Sequence, residues 1–254
     1  MSTKSASKIN RLLQNVPKGV VLQSSWLLKQ GYSHDLQQSY LKSNWLVSIG
    51  TGAYKRAGDD VTVFGALYAL QHQAEKKIHI GGLSSLSLQG LSHYVAMGND
   101  ILHLFANPGF KLPKWFIQNQ WNRKYMLKTT NLLPPDLSLI KYDFGAFQVK
   151  ISSPARAMME YLDSAPEVLD LEEAWLIMES MNNLPPAQVQ ELLEHNQSIK
   201  TKRLFLFLAE KAEHAWFKKL NIAQIDMGSG KRSIVKNGVF IKKYQITVPE
   251  IIAQ

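Results

Sequence analysis

Between Ser24 and Ser43 two helical patterns are separated by only three residues, Gly31-Tyr32-Ser33, and this break constrains the fold more than any other feature. A link that short, with a glycine in it, is the turn of a helix-turn-helix unit. Trp26, Leu27 and Leu28 form the apolar body of the first helix, capped by Ser24 or Ser25. Gly31 is expected to end it by taking a left-handed conformation. Ser33 caps the second, which runs from His34 to about Ser43 with Leu36, Tyr40 and Leu41 facing inward. An earlier helix, residues 5–16, carries Ile9, Leu12, Leu13 and Val16 at helical spacing and stops at Pro17 and Gly19. Val20-Val21-Leu22 reads as a connector. After Asn44 the period changes to two. Trp45, Val47 and Ile49 alternate with Leu46 and Ser48, Gly50-Thr51-Gly52 turns tightly, and Ala53–Arg56 returns as a second strand. Three short helices and then a Gly-tipped hairpin make a winged helix-turn-helix.

The rest of the chain reads as α+β, so the fold class is an N-terminal winged helix-turn-helix followed by a larger mixed α/β C-terminal region. A helix starts at Val61, Lys77–Ile80 is a short strand, and GGLSSLSLQGLSHY is a small-residue helix. Strand-like segments recur at Ile101–Phe105, Tyr125–Thr130, Leu139–Tyr142 and Phe147–Ile151, whereas Asn107–Lys124 reads as a long loop or interrupted helix. Ser153 with Pro154 behind it opens a run of helices. Short strands close the chain at Gln224–Asp226, Arg232–Val235, Val239–Ile241 and Tyr244–Val248. The expected division is 1–60 winged helix-turn-helix, 61–152 mixed α/β, and 153–254 mainly helical with terminal short strands.

Charge points to a polyanion. The net charge is +9, unevenly spread: residues 1–60 carry +5, 61–199 carry −3, and 200–245 carry +8. Clustered positive charge suits phosphate contacts, each of which releases condensed counterions. There is no cysteine, which removes disulfides, thiolate zinc sites and thiol nucleophiles. No apolar run approaches the length of a membrane span and no secretory leader is evident, so a cytoplasmic protein is expected.

A reading helix in the major groove and a wing along the backbone name the candidate DNA contacts. On the second helix of the motif these are Ser33, His34, Gln37, Gln38 and Lys42. Glutamine can make two hydrogen bonds to the major-groove edge of adenine, and lysine can contact guanine or a phosphate. Thr51, Lys55 and Arg56 on the wing, with Lys8 and Arg11 on the first helix, are candidate backbone contacts. Asp35 belongs in the first helical turn, facing the unpaired amides. A second candidate surface for an anionic partner gathers Lys200, Lys202, Arg203, Lys231, Arg232 and Lys236.

The segment SSWLLKQGYSHDLQQSYLKSNWLVSIGTGAYKR resembles the N-terminal domain of AbiEi-type antitoxins of type IV toxin–antitoxin systems. IHIGGLSSLSLQGLSHYVAMG is similar to that family's segment just after the winged helix, and SSPARAMMEYLD with the basic C-terminal segment is similar to its antitoxin domain. The resemblance implies a promoter-binding autorepressor acting on inverted repeats. It also implies a nucleotidyltransferase-like toxin of the AbiEii kind as functional partner, opposed without a stable complex. Where members of the family often have SGWL, this chain has Ser43-Asn44-Trp45-Leu46, which places Asn44 where positive φ is needed. Where they often carry a basic residue in the wing turn, it has Thr51.

Other motifs are weaker. Gly228-Ser229-Gly230-Lys231 lacks the first glycine of a phosphate loop, since Ile225 stands there, and Arg232 replaces the hydroxyl residue that holds magnesium. It is better read as a Gly-rich basic hairpin. His72, His79, His93 and His103 have no ligand spacing. Asp170, Glu172 and Glu173 fall at a helix start, where carboxylates offset the dipole. Ser84, Ser85 and Ser87 lack a nucleophile elbow. No enzymatic activity, cofactor or metal is expected, and membrane partners are not. The alternative readings are a nucleic-acid-processing enzyme, such as a nuclease targeted by the N-terminal domain, and a pure protein-interaction module.

Overall fold

The computed structural model describes residues 3–91, 101–164 and 170–253. The chain runs α1 (Thr3–Asn15), β1 (Leu22–Gln23), α2 (Ser24–Lys29), α3 (His34–Lys42), β2 (Leu46–Gly50), β3 (Ala53–Arg56) and α4 (Val63–Tyr68), which continues as a π-helical turn, Ala69–Gln73. Then come β4 (Ile78–Ile80), α5 (Gly82–Leu88), β5 (Leu102–Ala106), α6 (Lys114–Gln118), β6 (Tyr125–Thr129), β7 (Leu139–Asp143) and β8 (Gln148–Ser152). The last part comprises α7 (Pro154–Ser164), α8 (Leu171–Ser180), α9 (Pro186–His195), α10 (Ile199–Lys211), β9 (Arg232–Ser233), β10 (Val239–Ile241), β11 (Ile246–Val248) and α11 (Glu250–Ala253). The strands form three sheets, ordered β1-β3-β2, β6-β5-β4-β8-β7 and β10-β11-β9. This is an α+β chain.

By packing, the chain makes two compact units, each assembled from separate stretches. The first holds residues 1–79, 109–124 and 141–150; the second holds 80–108, 125–140 and 151–254. The first unit continues past residue 60 because the π-helical turn after α4 binds the backbone around β1. Gln73 Nε2 donates to Val21 O at 2.7 Å, Gln23 N donates to Gln73 Oε1 at 2.8 Å, and Gln23 Nε2 donates to Ala69 O at 2.8 Å. These side-chain amides satisfy an edge that would otherwise be buried unpaired. No local pattern marks Leu22–Gln23 as a strand, since two residues are too short for any period.

The first unit has the architecture of a winged helix. Helices as short as α2 and α3 do not hold alone in water, so their stability comes from packing. Ile9 and Leu12 of α1, Val16 just after it, Leu22, Leu27 and Tyr32, Tyr40 of α3, and Leu46 and Tyr54 of the hairpin form one buried cluster. Gly31 has φ +83° and ends α2; Asn44 has φ +54° and ends α3, each as the sequence requires. β2 and β3 pair antiparallel with a bulge between Ser48 and Gly50, and β1 adds to the far edge of β3.

In the second unit, β5 and β6 pair in parallel, and Ile80 pairs in parallel with Ile151. α7 and α10 are buried nearly all round, and α8 and α9 complete the helical layer. The small C-terminal sheet differs from expectation. Gln224–Asp226 is not a strand: a 3-10 turn over Ile222–Gln224 ends within it, and Ile225 and Asp226 pair with no sheet. β9 runs parallel to β11 and a short α11 closes the chain. The expected helix around Ser87 ends with α5, and its continuation, with His93, lies outside the described residues.

Candidate nucleic-acid interface

α3 begins at Ser33, whose hydroxyl accepts from Leu36 N at 3.3 Å. That satisfies one of the orphan amides of the first turn, where Asp35 also lies. His34, Gln38 and Lys42 recur at intervals of four and share one face of the helix. All three are exposed, as is Asp35. A helix face with a glutamine flanked by a histidine and a lysine offers donors and acceptors suited to base edges and phosphates.

Gln37 does not belong to that face. It is 1% exposed. Its Oε1 accepts from Ser24 Oγ at 2.7 Å, and its Nε2 donates to Tyr32 O at 2.8 Å. The side chain ties the start of α2, the turn and α3 together, so its amide is spent on the protein and unavailable to a base. The signal was in the sequence: Gln37 precedes Tyr40 by three and Leu41 by four residues, which puts it on the inner side.

The wing needs a similar correction. Thr51 is exposed at the tip, between Gly50 and Gly52. Arg56, however, is buried, and its Nη2 donates to Val16 O while its Nε has no hydrogen-bond partner. Burial pushes this guanidinium below its ordinary pKa, with Asp59 opposing the shift. Lys55 is half-buried and donates to Asp59 O at 3.1 Å. Of the helix-one candidates, Arg11 is exposed, and Lys8 donates to Gly31 O at 3.2 Å across the turn that precedes α3. Arg56 therefore belongs to the scaffold, and Lys55 and Lys8 are partly committed to it.

The long irregular segment before residue 124 contains α6, which sits on the wing. Asn119 Nδ2 donates to Ile49 O at 2.5 Å and to Trp115 O at 2.6 Å. A Cβ on Gly50 would lie 2.9 Å from Trp115 Cβ, so only glycine admits this approach, and its φ of +150° also favours glycine. This brace joins residues about 65 apart in sequence and leaves no local signal.

The basic C-terminal set divides in the same manner. Lys202 and Arg203 are buried, each 3% exposed. Arg203 donates to Met227 O, Gly228 O, Gly230 O and Gln245 O. Burial lowers both pKa values, with Asp226 opposing the shift at Lys202 and Arg232 adding to it at Arg203. Lys200 is half-buried and donates to Asp163 O at 3.0 Å. Lys231, Arg232 and Lys236 remain exposed, and Lys231 lies 4.9 Å from the centre of the Phe240 ring. The stretch Gly228–Lys231 is a loop leading into β9, with no helix behind it to bind phosphate. Asp170 caps α8 by accepting from Glu172 N at 2.9 Å, the dipole role expected of that acidic group. Among the described residues no cluster of three or more His, Asp or Glu is arranged to hold a metal ion. No described helix is long and apolar enough to cross a membrane.

These elements define a winged helix-turn-helix protein of the transcriptional-regulator class. The sequence bears the same statement out at family level. Residues 5–97 match the transcriptional regulator, AbiEi antitoxin N-terminal domain, and residues 99–249 match the transcriptional regulator, AbiEi antitoxin, type IV TA system. The chain belongs to the AbiEi antitoxin family of transcriptional regulators. No curated protein matches it. Among solved structures it is similar in fold to the RV2827C protein from Mycobacterium tuberculosis, with TM-score 0.59 and 13% identity, covering 100% of this chain and 93% of that one.

Proposed function

We propose that this antitoxin-family regulator binds duplex DNA upstream of its own reading frame through α3 and the wing, and so represses its own operon. The carrying observation is the exposed row His34, Gln38 and Lys42 on a helix held by the Ser24–Gln37–Tyr32 hydrogen bonds. A reader fixed to a rigid support loses little side-chain and backbone entropy on docking. Phosphate contacts from Arg11 and Lys42 supply affinity, and Gln38 and His34 supply sequence choice.

Two neighbouring glutamines give an internal contrast. Gln38→Ala should cost about 1–3 kcal/mol of binding to the preferred site and flatten the preference among sequences. Gln37→Ala should instead cost about 1–3 kcal/mol of stability, because it orphans buried groups, while the folded protein keeps its sequence preference. Fluorescence anisotropy with duplexes from the upstream region reads the first effect, and urea unfolding reads the second. An unaltered binding profile in Gln38→Ala removes α3 as the reader.

The functional partner, on this reading, is a nucleotidyltransferase-like toxin counteracted without a stable complex. Of the candidate C-terminal set, Lys231, Arg232 and Lys236 are the members that stay exposed for an anionic or RNA-bound partner. Lys231→Glu combined with Arg232→Glu should weaken toxin neutralisation in co-expression, or lower the salt slope of DNA binding. If both stay at wild-type level, these residues are solvated charge only.

A further inference from the structure

We propose that the segment 109–124 extends the duplex-binding face at the wing, with Lys114 and Lys111 supplying the phosphate contacts there. The inference rests on the DNA-binding reading above and carries it to residues outside the helix-turn-helix.

Three observations converge. First, the wing has little free positive charge of its own. Its tip residue is Thr51, Arg56 is buried against Val16 O, and Lys55 is engaged with Asp59 O. A wing without free cations adds little to the electrostatic attraction that dominates affinity for duplex DNA. Second, α6 is seated on the wing tip through Trp115 against Gly50 and Asn119 on Ile49 O. Lys114 directly precedes Trp115, so its Cα lies about 3.8 Å from that of the bracing residue. Lys111 lies three residues further out, and the residue between Leu112 and Lys114, Pro113, is in an extended conformation. Third, the segment carries Lys111, Lys114, Arg123 and Lys124 and no acidic residue, within a stretch, 61–199, whose overall balance is −3. Positive charge is thus concentrated where the chain returns to the wing.

The four cations are not equivalent. Arg123 is taken up by the face of Phe64, 5.5 Å from the ring centre. Lys111 and Lys114 are both exposed. A lysine held beside a rigid hairpin has its charge positioned by the backbone even though its stem is flexible, which suits a contact to phosphate rather than to a base. The brace also explains why a helix of five residues is kept there: Trp115 and Phe116 are its buried anchors, and Lys114, Ile117 and Gln118 face out.

The test uses the full chain, with anisotropy measured over a salt series. The probes are a duplex covering the DNA directly upstream of its own reading frame and a random duplex of equal length. Lys111→Ala with Lys114→Ala should make the slope of log K against log salt shallower by about 2, about 1 per lysine, on both probes alike. Arginine at both positions should restore the wild-type slope, because charge and not shape is required. Asn119→Ala, which leaves every lysine in place, should give part of the same loss by freeing α6 from the wing. Wild-type affinity and slope in the double alanine variant, with Gln38→Ala still impaired, would overturn this inference and leave α3 as the reader. No salt-dependent binding of either duplex by the wild-type chain removes the DNA-binding reading and this extension with it.

Discussion

Glu160→Ala is expected to destabilise the second unit by about 3–5 kcal/mol. Arg156 and Glu160, one turn apart on α7, are 4% and 2% exposed and pair Nε to Oε1 at 2.8 Å. The carboxylate's other oxygen accepts from Gly82 N at 3.0 Å and from Ser152 Oγ at 2.7 Å. The guanidinium in turn donates to Pro134 O and Leu137 O. The pair thus joins α7 to the start of α5, the end of β8 and the 134–137 turn. Truncating the carboxylate leaves a buried guanidinium without its counter-charge and strands one amide and one hydroxyl as well. Replacing both partners, Arg156→Met with Glu160→Leu, should destabilise less than the single change, since no buried charge remains. Urea unfolding of the three variants checks this. Equal losses in the single and double variants would show that packing volume, not charge, accounts for the effect.

Arg203→Met is expected to cost about 3 kcal/mol and to loosen the 226–232 loop, the second large effect. Arg203 holds four carbonyls from two separate stretches, three in the 227–230 loop and one at Gln245, with no carboxylate among them. Methionine keeps much of the volume and none of the donors. Some of these carbonyls lie in an exposed loop and regain water, so the loss is smaller than four charged hydrogen bonds would suggest. The separate readout is limited proteolysis. Cleavage by trypsin at Lys231 and Arg232 should accelerate severalfold in the variant. Arg203→Lys should fail to rescue it, because a single ammonium cannot reach a fork of carbonyls. Unchanged cleavage in Arg203→Met would show that the loop is held by other contacts, such as Gly228 packed on Ile199.

Much of the first unit was legible because its signals are local. Helical spacing of Ile9, Leu12 and Val16, the serine cap at Ser33, the glycine stop at Gly31 and the period change at Trp45 each act within a few residues. Positive φ at Asn44 was likewise legible from residue type. In the second half, β5 to β8 fall within a residue or so of the strands expected at those positions, and Ser153-Pro154 opens α7 as anticipated. β1 was not legible, since two residues have no period, and α6 was legible only as a loop or an interrupted helix, because a helix in a Pro-rich stretch is kept by what it packs against.

Residue type and spacing were enough to specify that this chain starts with a helix-turn-helix and a wing, since caps, stops and periods are properties of neighbouring residues. They could not assign the polar side chains to water or to the interior. Gln37, Arg56, Lys202 and Arg203 have the same chemistry as Gln38, Lys42, Lys231 and Arg232, yet are consumed inside the protein. The difference lies in whether a carbonyl or hydroxyl from a distant stretch is within reach, and only the packed chain supplies that partner. The seat of Trp115 on Gly50 is of the same kind, a contact made by folding between stretches that share no local pattern.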